Sequence, residues 1–340
     1  MEFHKAILYG KGDLRIETEL FDRTLAADEI LIQTEVTALS TGTDLGNYLG
    51  DSTYVPGAPQ YPRWVGYSNV GTVLQTGSAV NHVCAGQRVF SPKPHRSGFV
   101  GTTRDLMVAV PEELPAEEAS LVYLTNLGLA ALQQAHYEAG ENVVVVGLGV
   151  IGLCTVALAQ AMGAKVVGVA NSAIRARAAL EVGARACLLS GSTDLLPSVK
   201  SCFRGAAADI VVSTSNSWES YFESLDLARH SGRISILGFP GRAQPIPERN
   251  PLDPRPFYEK QLTLIGAGYS PLAECEPQDL RFNRRRNLEY IFDLMVSRRM
   301  NIAPLITHRF PYRRMREAYE LARSRSKELI AAVFDWRSTS

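Results

Sequence analysis

The sequence predicts an α/β protein in which a doubly wound parallel sheet is joined to a smaller, mainly β domain. Three observations predict it. Residues 143–146 are an unbroken valine run, the composition of a strand covered on both faces. That run passes directly into a glycine-punctuated turn and an alanine-rich apolar segment ending near Met162. Strand-like and helix-like segments then alternate as far as Ile265, whereas the first 122 residues are strand-and-turn material.

In chain order, residues 29–36 (EILIQTEV) alternate apolar and polar side chains as a half-buried strand does. Residues 70–74 and 88–90 are short strand candidates, and Gly66, Gly71, Gly77 and Gly86 punctuate them as turns or bulges. Residues 115–136 are expected to be helical and to lead into the valine strand. Beyond the glycine turn, residues 165–170 (KVVGVA) form the next strand and 174–182 a helix closed by Gly183. Strands follow at 186–189, 209–214, 233–237 and 262–265, with a helix at 218–228 and a proline-rich loop at 240–256. Helical spacing returns at 288–300 and 315–325, and 331–334 is expected to rejoin the first domain as a strand. The expected domains are 1–122, 123–268 and a C-terminal return, 269–340.

The turn after the valine strand has the pattern Gly147-Leu148-Gly149-Val150-Ile151-Gly152. Each glycine meets a physical requirement. Gly147 allows a tight turn, Gly149 lets the backbone approach a pyrophosphate closely, and Gly152 lets helix pack closely on strand. The helix N-terminus then offers N–H groups and a positive dipole end to the anion. Strand, turn and helix together predict a Rossmann dinucleotide site. At the end of the second strand an NAD site carries a carboxylate for the ribose hydroxyl. Here Ala170 is followed by Asn171, Ser172 and Arg175, which repel no 2′-phosphate and offer it hydrogen bonds and a positive charge. The expected cofactor is therefore NADP(H). Ser213, Thr214, Gly238 and Phe239, at the ends of later strands, are expected along the cofactor path.

Lys plus Arg and Asp plus Glu both number 35, so the net charge is zero and gives no general attraction to nucleic acid or an anionic membrane. No apolar run reaches the length of a bilayer span, and the N-terminus lacks the apolar stretch of a signal peptide. Cys84, Cys154, Cys187, Cys202 and Cys275 are scattered, with no C-x-x-C pair. They are expected to be reduced thiols of a cytoplasmic protein.

The order of a β-rich domain, a G-L-G-V-I-G nucleotide fold and a C-terminal return resembles the medium-chain dehydrogenase/reductase superfamily over essentially the whole chain. The stretches GYSNVGTV (66–73), GQRV (86–89), GAKVVGV (163–169) and LITHRFPYRRMREAY (305–319) carry that resemblance. It implies a GroES-like catalytic domain, an oxidoreductase with a small-molecule substrate, and a homodimer formed through the nucleotide domains.

The sequence departs from the superfamily's zinc-dependent members at the metal positions. Where those carry Cys in a C-G-T-D-like motif, this chain has Thr41 ahead of Gly42, Thr43 and Asp44. Where they carry G-H-E, it has Gly66, Tyr67 and Ser68, and the third ligand position falls at Tyr123. Neutral hydroxyls are poor substitutes for thiolate and imidazole, so no metal is expected. The resemblance to zinc-free quinone and enoyl reductases implies reduction of a C=C or C=O bond of a specialised metabolite. Thr41 and Asp44 then sit like the N-x-x-D pair of that branch. Tyr67 or Tyr123 would serve as general acid, given a phenol pKa that is lowered or a proton relay.

Two alternatives stay open. S-T-G-T-D and G-Y-S-N-V-G are also similar to a subgroup that oxidises a hydroxyethyl side chain, which implies NAD(P)-dependent alcohol oxidation. The other is a nucleotide-binding protein without catalysis. Tyr48, Tyr54, Trp64 and Tyr269 are candidate walls of a substrate cleft. His95 is expected in a solvated loop, with a proton relay as its alternative role, and Arg281, Arg284, Arg285 and Arg286 as a charged helix start or loop, with contact to an anionic substrate or partner as the alternative.

Overall fold

The computed structural model describes residues 1–51, 60–242, 244–268 and 282–337. The chain divides into two units: Met1–Tyr123, Leu288–Val296 and Ile306–Ser340 form the first, Leu124–Asn287 and Ser297–Leu305 the second. The C-terminal segment thus alternates between units rather than returning once.

Strands β1 (Glu2–Gly10) and β2 (Asp13–Leu20) pair as an antiparallel hairpin. Strand β3 (Glu29–Ala38) follows, and after it a short helix, α1 (Thr43–Leu49), closed by Gly50 in the left-handed conformation. Strand β4 (Arg63–Trp64) lies on β1. Strands β5 (Asn69–Thr76), β6 (Arg88–Ser91), β7 (Gly98–Thr102) and β8 (Val108–Ala109) complete the N-terminal part.

The expected alternation of β3 is only half of what the strand does. β5 pairs with one edge, while β7 and the C-terminal strand share the other, so nearly every residue of β3 is buried. A half-buried strand in the sequence is a central strand in the fold.

Helix α2 (Ala116–Ala119) and helix α3 (Val122–Gln134) replace the single helix expected over 115–136. The second unit then builds its sheet from β9 (Asn142–Val146), β10 (Lys165–Ala170), β11 (Ala186–Leu189), β12 (Ala208–Ser213), β13 (Ala228–Ile236) and β14 (Thr263–Gly266). All neighbours are parallel, in the order β11-β10-β9-β12-β13-β14. That is the doubly wound dinucleotide order, with its reversal point between β9 and β12.

The crossovers are α4 (Val150–Ala161), α5 (Ala173–Glu181), α6 (Leu195–Cys202) and α7 (Trp218–Leu227). α4 is buried almost all round, as its uniformly apolar sequence requires. The chain closes with α8 (Arg284–Val296), β15 (Ile306–Pro311), α9 (Met315–Arg323) and β16 (Ala331–Asp335), the last paired with β3 as expected. Among the described residues no helix is long and apolar enough to cross a membrane.

Candidate functional site

In the second unit, two glycines of the 147–152 turn, Gly147 and Gly152, are required by what surrounds them. Gly147 has φ +87°, and a Cβ there would lie 2.9 Å from the backbone nitrogen of Ser215. A Cβ on Gly152 would lie 2.0 Å from the Gly147 carbonyl oxygen, so no larger residue fits. Gly149 is the opposite case. Only Arg175 Nη1, at 4.0 Å, approaches its missing Cβ, and no side chain caps the first N–H groups of α4. Open backbone beside an uncapped, buried helix N-terminus fits the pyrophosphate of a dinucleotide.

The residues at the end of β10 come together as a group. Ser172 caps α5, its hydroxyl accepting the Arg175 N–H at 3.5 Å, and Asn171 beside it is exposed. The Arg175 guanidinium donates to the Leu148 carbonyl at 2.7 Å, which ties it to the glycine turn, and burial pulls its pKa below the ordinary value. Across the reversal point, Thr214 Oγ1 donates to the Gly147 carbonyl at 2.5 Å, and Ser213 is fully buried. A Cβ on Gly238 would meet the Ser215 carbonyl oxygen at 2.1 Å, and the half-exposed Phe239 donates its N–H to Asn216 Oδ1. Sequence reasoning did not single out Ser215 and Asn216. They follow a strand end directly, which is the one signal that points to them.

In the first unit, Asp44 is 1 % exposed and spends its carboxylate on backbone. Oδ2 accepts the Ser40 N–H at 3.0 Å and Oδ1 the Gly66 N–H at 2.9 Å. These are the residues immediately before Thr41 and Tyr67. One carboxylate therefore holds together the two segments that carry the candidate catalytic side chains. Tyr67, half-buried, donates its phenol to Ser40 Oγ at 2.5 Å and also meets the exposed Thr43 hydroxyl. Its ring stands edge-on to Tyr123 at 5.4 Å, and Tyr123 stacks on the buried Phe90 at 6.1 Å. Burial, with the Asp44 charge beside it, raises the Tyr67 pKa well above its ordinary value of about 10. The lowered phenol pKa considered from sequence is corrected: Tyr67 keeps its proton.

These side chains do not fit catalytic zinc. Tyr67 is a neutral phenol, Ser68 is buried with its hydroxyl donating to the Ser120 carbonyl, and both Asp44 oxygens accept backbone hydrogens. Among the described residues, no group of three or more His, Cys, Asp or Glu side chains is placed to hold a metal ion.

Other expectations need correction. Tyr48, expected as a pocket wall, is 1 % exposed, packs on Tyr319 at 5.1 Å and donates to Glu320, so it belongs to the core. His95, expected in a solvated loop, is completely buried. Arg284, Arg285 and Arg286 do open a helix, α8, as expected, but Arg284 itself is buried, and Asn283 Oδ1 accepts the Arg286 N–H there. Trp64 is half-exposed on β4. Tyr54, Tyr269, Cys275 and Arg281 lie outside the described residues.

Residues 150–282 match the family model described as zinc-binding dehydrogenase. Sorbitol dehydrogenase of Mus musculus is 23% identical, covering 93% of this chain and 92% of its own. L-galactonate-5-dehydrogenase of Escherichia coli K12 is 26% identical, covering 86% and 87%. Over most of its length the chain is thus similar in sequence to these dehydrogenases. The galactitol-1-phosphate dehydrogenase structure from Escherichia coli shares the fold, with a TM-score of 0.81 at 19% identity over 98% of this chain and 99% of its own. So do an Escherichia coli CFT073 alcohol dehydrogenase complexed with NADH and a putative zinc-binding dehydrogenase from Sinorhizobium meliloti bound to NADP, with TM-scores of 0.79 and 0.77 at 17% and 20% identity. Each covers 98% of this chain and 99% of its own.

Proposed function

We propose that this protein is a zinc-independent, NADP(H)-dependent oxidoreductase that reduces a C=O or C=C bond of a small metabolite. The observation that carries the proposal is the Tyr67 phenol, protonated and pinned to Ser40 where the zinc-type relatives place a histidine. Gly147, Gly149 and Gly152 would hold the pyrophosphate, and Asn171, Ser172 and Arg175 the 2′-phosphate. When bound, the nicotinamide supplies the hydride. With substrate bound, the Tyr67 hydrogen, which points at Ser40 Oγ here, would turn to the oxygen on which negative charge develops while the Ser40 hydroxyl donates to the phenol oxygen in its place. Ser40 and Thr43 fix the direction of that hydroxyl, and the Tyr67–Tyr123–Phe90 rings keep its base dry. Thr41 and Tyr123 complete the surroundings of the reacting centre. A homodimer remains part of the proposal.

Alcohol oxidation is the second reading, favoured by relatives named as sorbitol and L-galactonate dehydrogenases. Titration with NADPH and NADH, metal analysis of the same sample, and a panel of ketones, enones and alcohols test both. Tight NADPH binding, no stoichiometric zinc and turnover of a ketone or enone support the first. Turnover confined to alcohols supports the second, and bound stoichiometric zinc refutes zinc independence. Cofactor binding without turnover on any class would indicate a nucleotide-binding protein without catalysis.

A further inference from the structure

Among the described residues, His95 is the buried imidazole that lies against this site, and nothing in the proposed chemistry uses it. It sits between β6 and β7, 0 % exposed, with its own N–H donated to the Val65 carbonyl and its carbonyl accepting the Ala6 N–H, both at 2.9 Å. Its Nδ1 lies 2.8 Å from Thr37 Oγ1, and the same oxygen receives the indole N–H of Trp336 at 2.9 Å. The Thr37 hydroxyl thus joins the imidazole and the indole in one buried polar contact. Nε2 has no hydrogen-bond partner and lies 3.8 Å from Asp44 Oδ2.

The ring also occupies the space above Gly66. A Cβ on Gly66 would lie 2.6 Å from His95 Cγ and Cδ2, and Gly66 has φ +85°. The imidazole is thus in contact with the residue that precedes Tyr67, and it faces the carboxylate that holds that residue.

We infer that His95 is a positioning residue for Tyr67: it seats Gly66 and backs Asp44, so that the phenol meets Ser40 in one fixed geometry. The inference rests on the proposed role of Tyr67, but its structural half is measurable without any substrate. A side chain that fixes the direction of a reacting group affects the rate by about 10–100-fold when removed, as outer-shell partners of metal ligands do.

The test uses the full-length protein labelled with 13C at tyrosine Cζ, with Tyr67→Phe assigning the Tyr67 signal. In His95→Phe the Tyr67 signal should move and broaden, and His95→Gln, which keeps a polar amide of similar reach, should restore most of its position. With whichever substrate is turned over, His95→Phe should lower kcat about tenfold without changing the KM for NADPH. In a Tyr67→Phe background the same substitution should cause no further loss. An unmoved Tyr67 signal in a folded His95→Phe protein overturns the inference, and so do losses that simply multiply. Should His95→Phe fail to fold, Thr37→Val removes the partner of Nδ1 at small cost in shape. A displaced Tyr67 signal there supports the inference and an unmoved one overturns it. Absence of turnover in the wild type would refute the proposed reaction alone, and the Tyr67 signal would still decide the role of His95.

Discussion

Tyr67 and Tyr319 show how differently two raised phenols behave. Both are pushed above the ordinary tyrosine value, chiefly by burial and then by the Asp44 charge. Tyr67 spends its hydroxyl on Ser40, whereas the Tyr319 oxygen is buried without a hydrogen-bond partner. Tyr67→Phe should therefore lower kcat by about 10²–10⁴, the range of a positioned acid group, with little change in NADPH affinity. Because its folded pKa is raised, the phenol keeps its proton throughout the neutral range. The pH profile of kcat should accordingly show no Tyr67 inflection there. Tyr319→Phe removes an oxygen that has no partner to lose, so it should change stability at neutral pH by less than about 1 kcal/mol. Both phenols bind protons more tightly folded than unfolded. Their contribution is complete below pH ~10 and is lost as pH rises through the folded pKa. Denaturant midpoints measured across that alkaline range should fall less steeply in Tyr319→Phe than in the wild type. The glycines at 147, 149 and 152 were legible in sequence because their spacing between a strand and a helix is a local pattern, even though Ser215, far along the chain, is what crowds Gly147. His95 was not, since its burial is made by Thr37, Val65 and Trp336, distant in the chain.

Helices and strands were legible where one face pattern decided them, and illegible where a neighbour did. The β9–α4–β10 unit follows directly from a valine run, a glycine turn and an apolar helix. α1 carries little sequence signal because it is one short helix in a strand-rich region, and α6 because it contains Pro197. That proline sits in the first turn, where no intrahelical N–H is lost. The end of α7 shows a different kind of stabilisation. Lys260 Nζ donates to the carbonyls of Leu225, Asp226 and Ala228 at 2.8–3.1 Å, satisfying acceptors that the helix end leaves open. Burial lowers the Lys260 pKa, so the ammonium persists there because those three oxygens take its hydrogens. Lys260→Met keeps most of the packing and removes the donors. It should cost about 1–3 kcal/mol in chemical denaturation, with α7 and β13 losing hydrogen-exchange protection first.

At the scale of the whole molecule, the proposed function has two parts, a nucleotide site in the second unit and a hydroxyl-lined, metal-free site in the first. These two features separate in a ligand-linkage experiment. A ligand that binds only the folded state stabilises it by about 2.7 kcal/mol at a hundred times its Kd. NADPH should therefore raise the unfolding temperature more than NADH at equal concentration, because Asn171, Ser172 and Arg175 present hydrogen bonds and positive charge with no carboxylate among them. Asn171→Asp places a negative charge beside that group and should narrow or reverse the difference while leaving the unliganded unfolding temperature nearly unchanged, since Asn171 is exposed. Zinc and a chelator should each leave the unfolding temperature where it was, because Tyr67 is protonated and Asp44 is occupied by backbone hydrogens. A zinc-dependent rise would refute the metal-free site without touching the cofactor assignment. Equal responses to the two nucleotides would refute the 2′-phosphate assignment without touching the site.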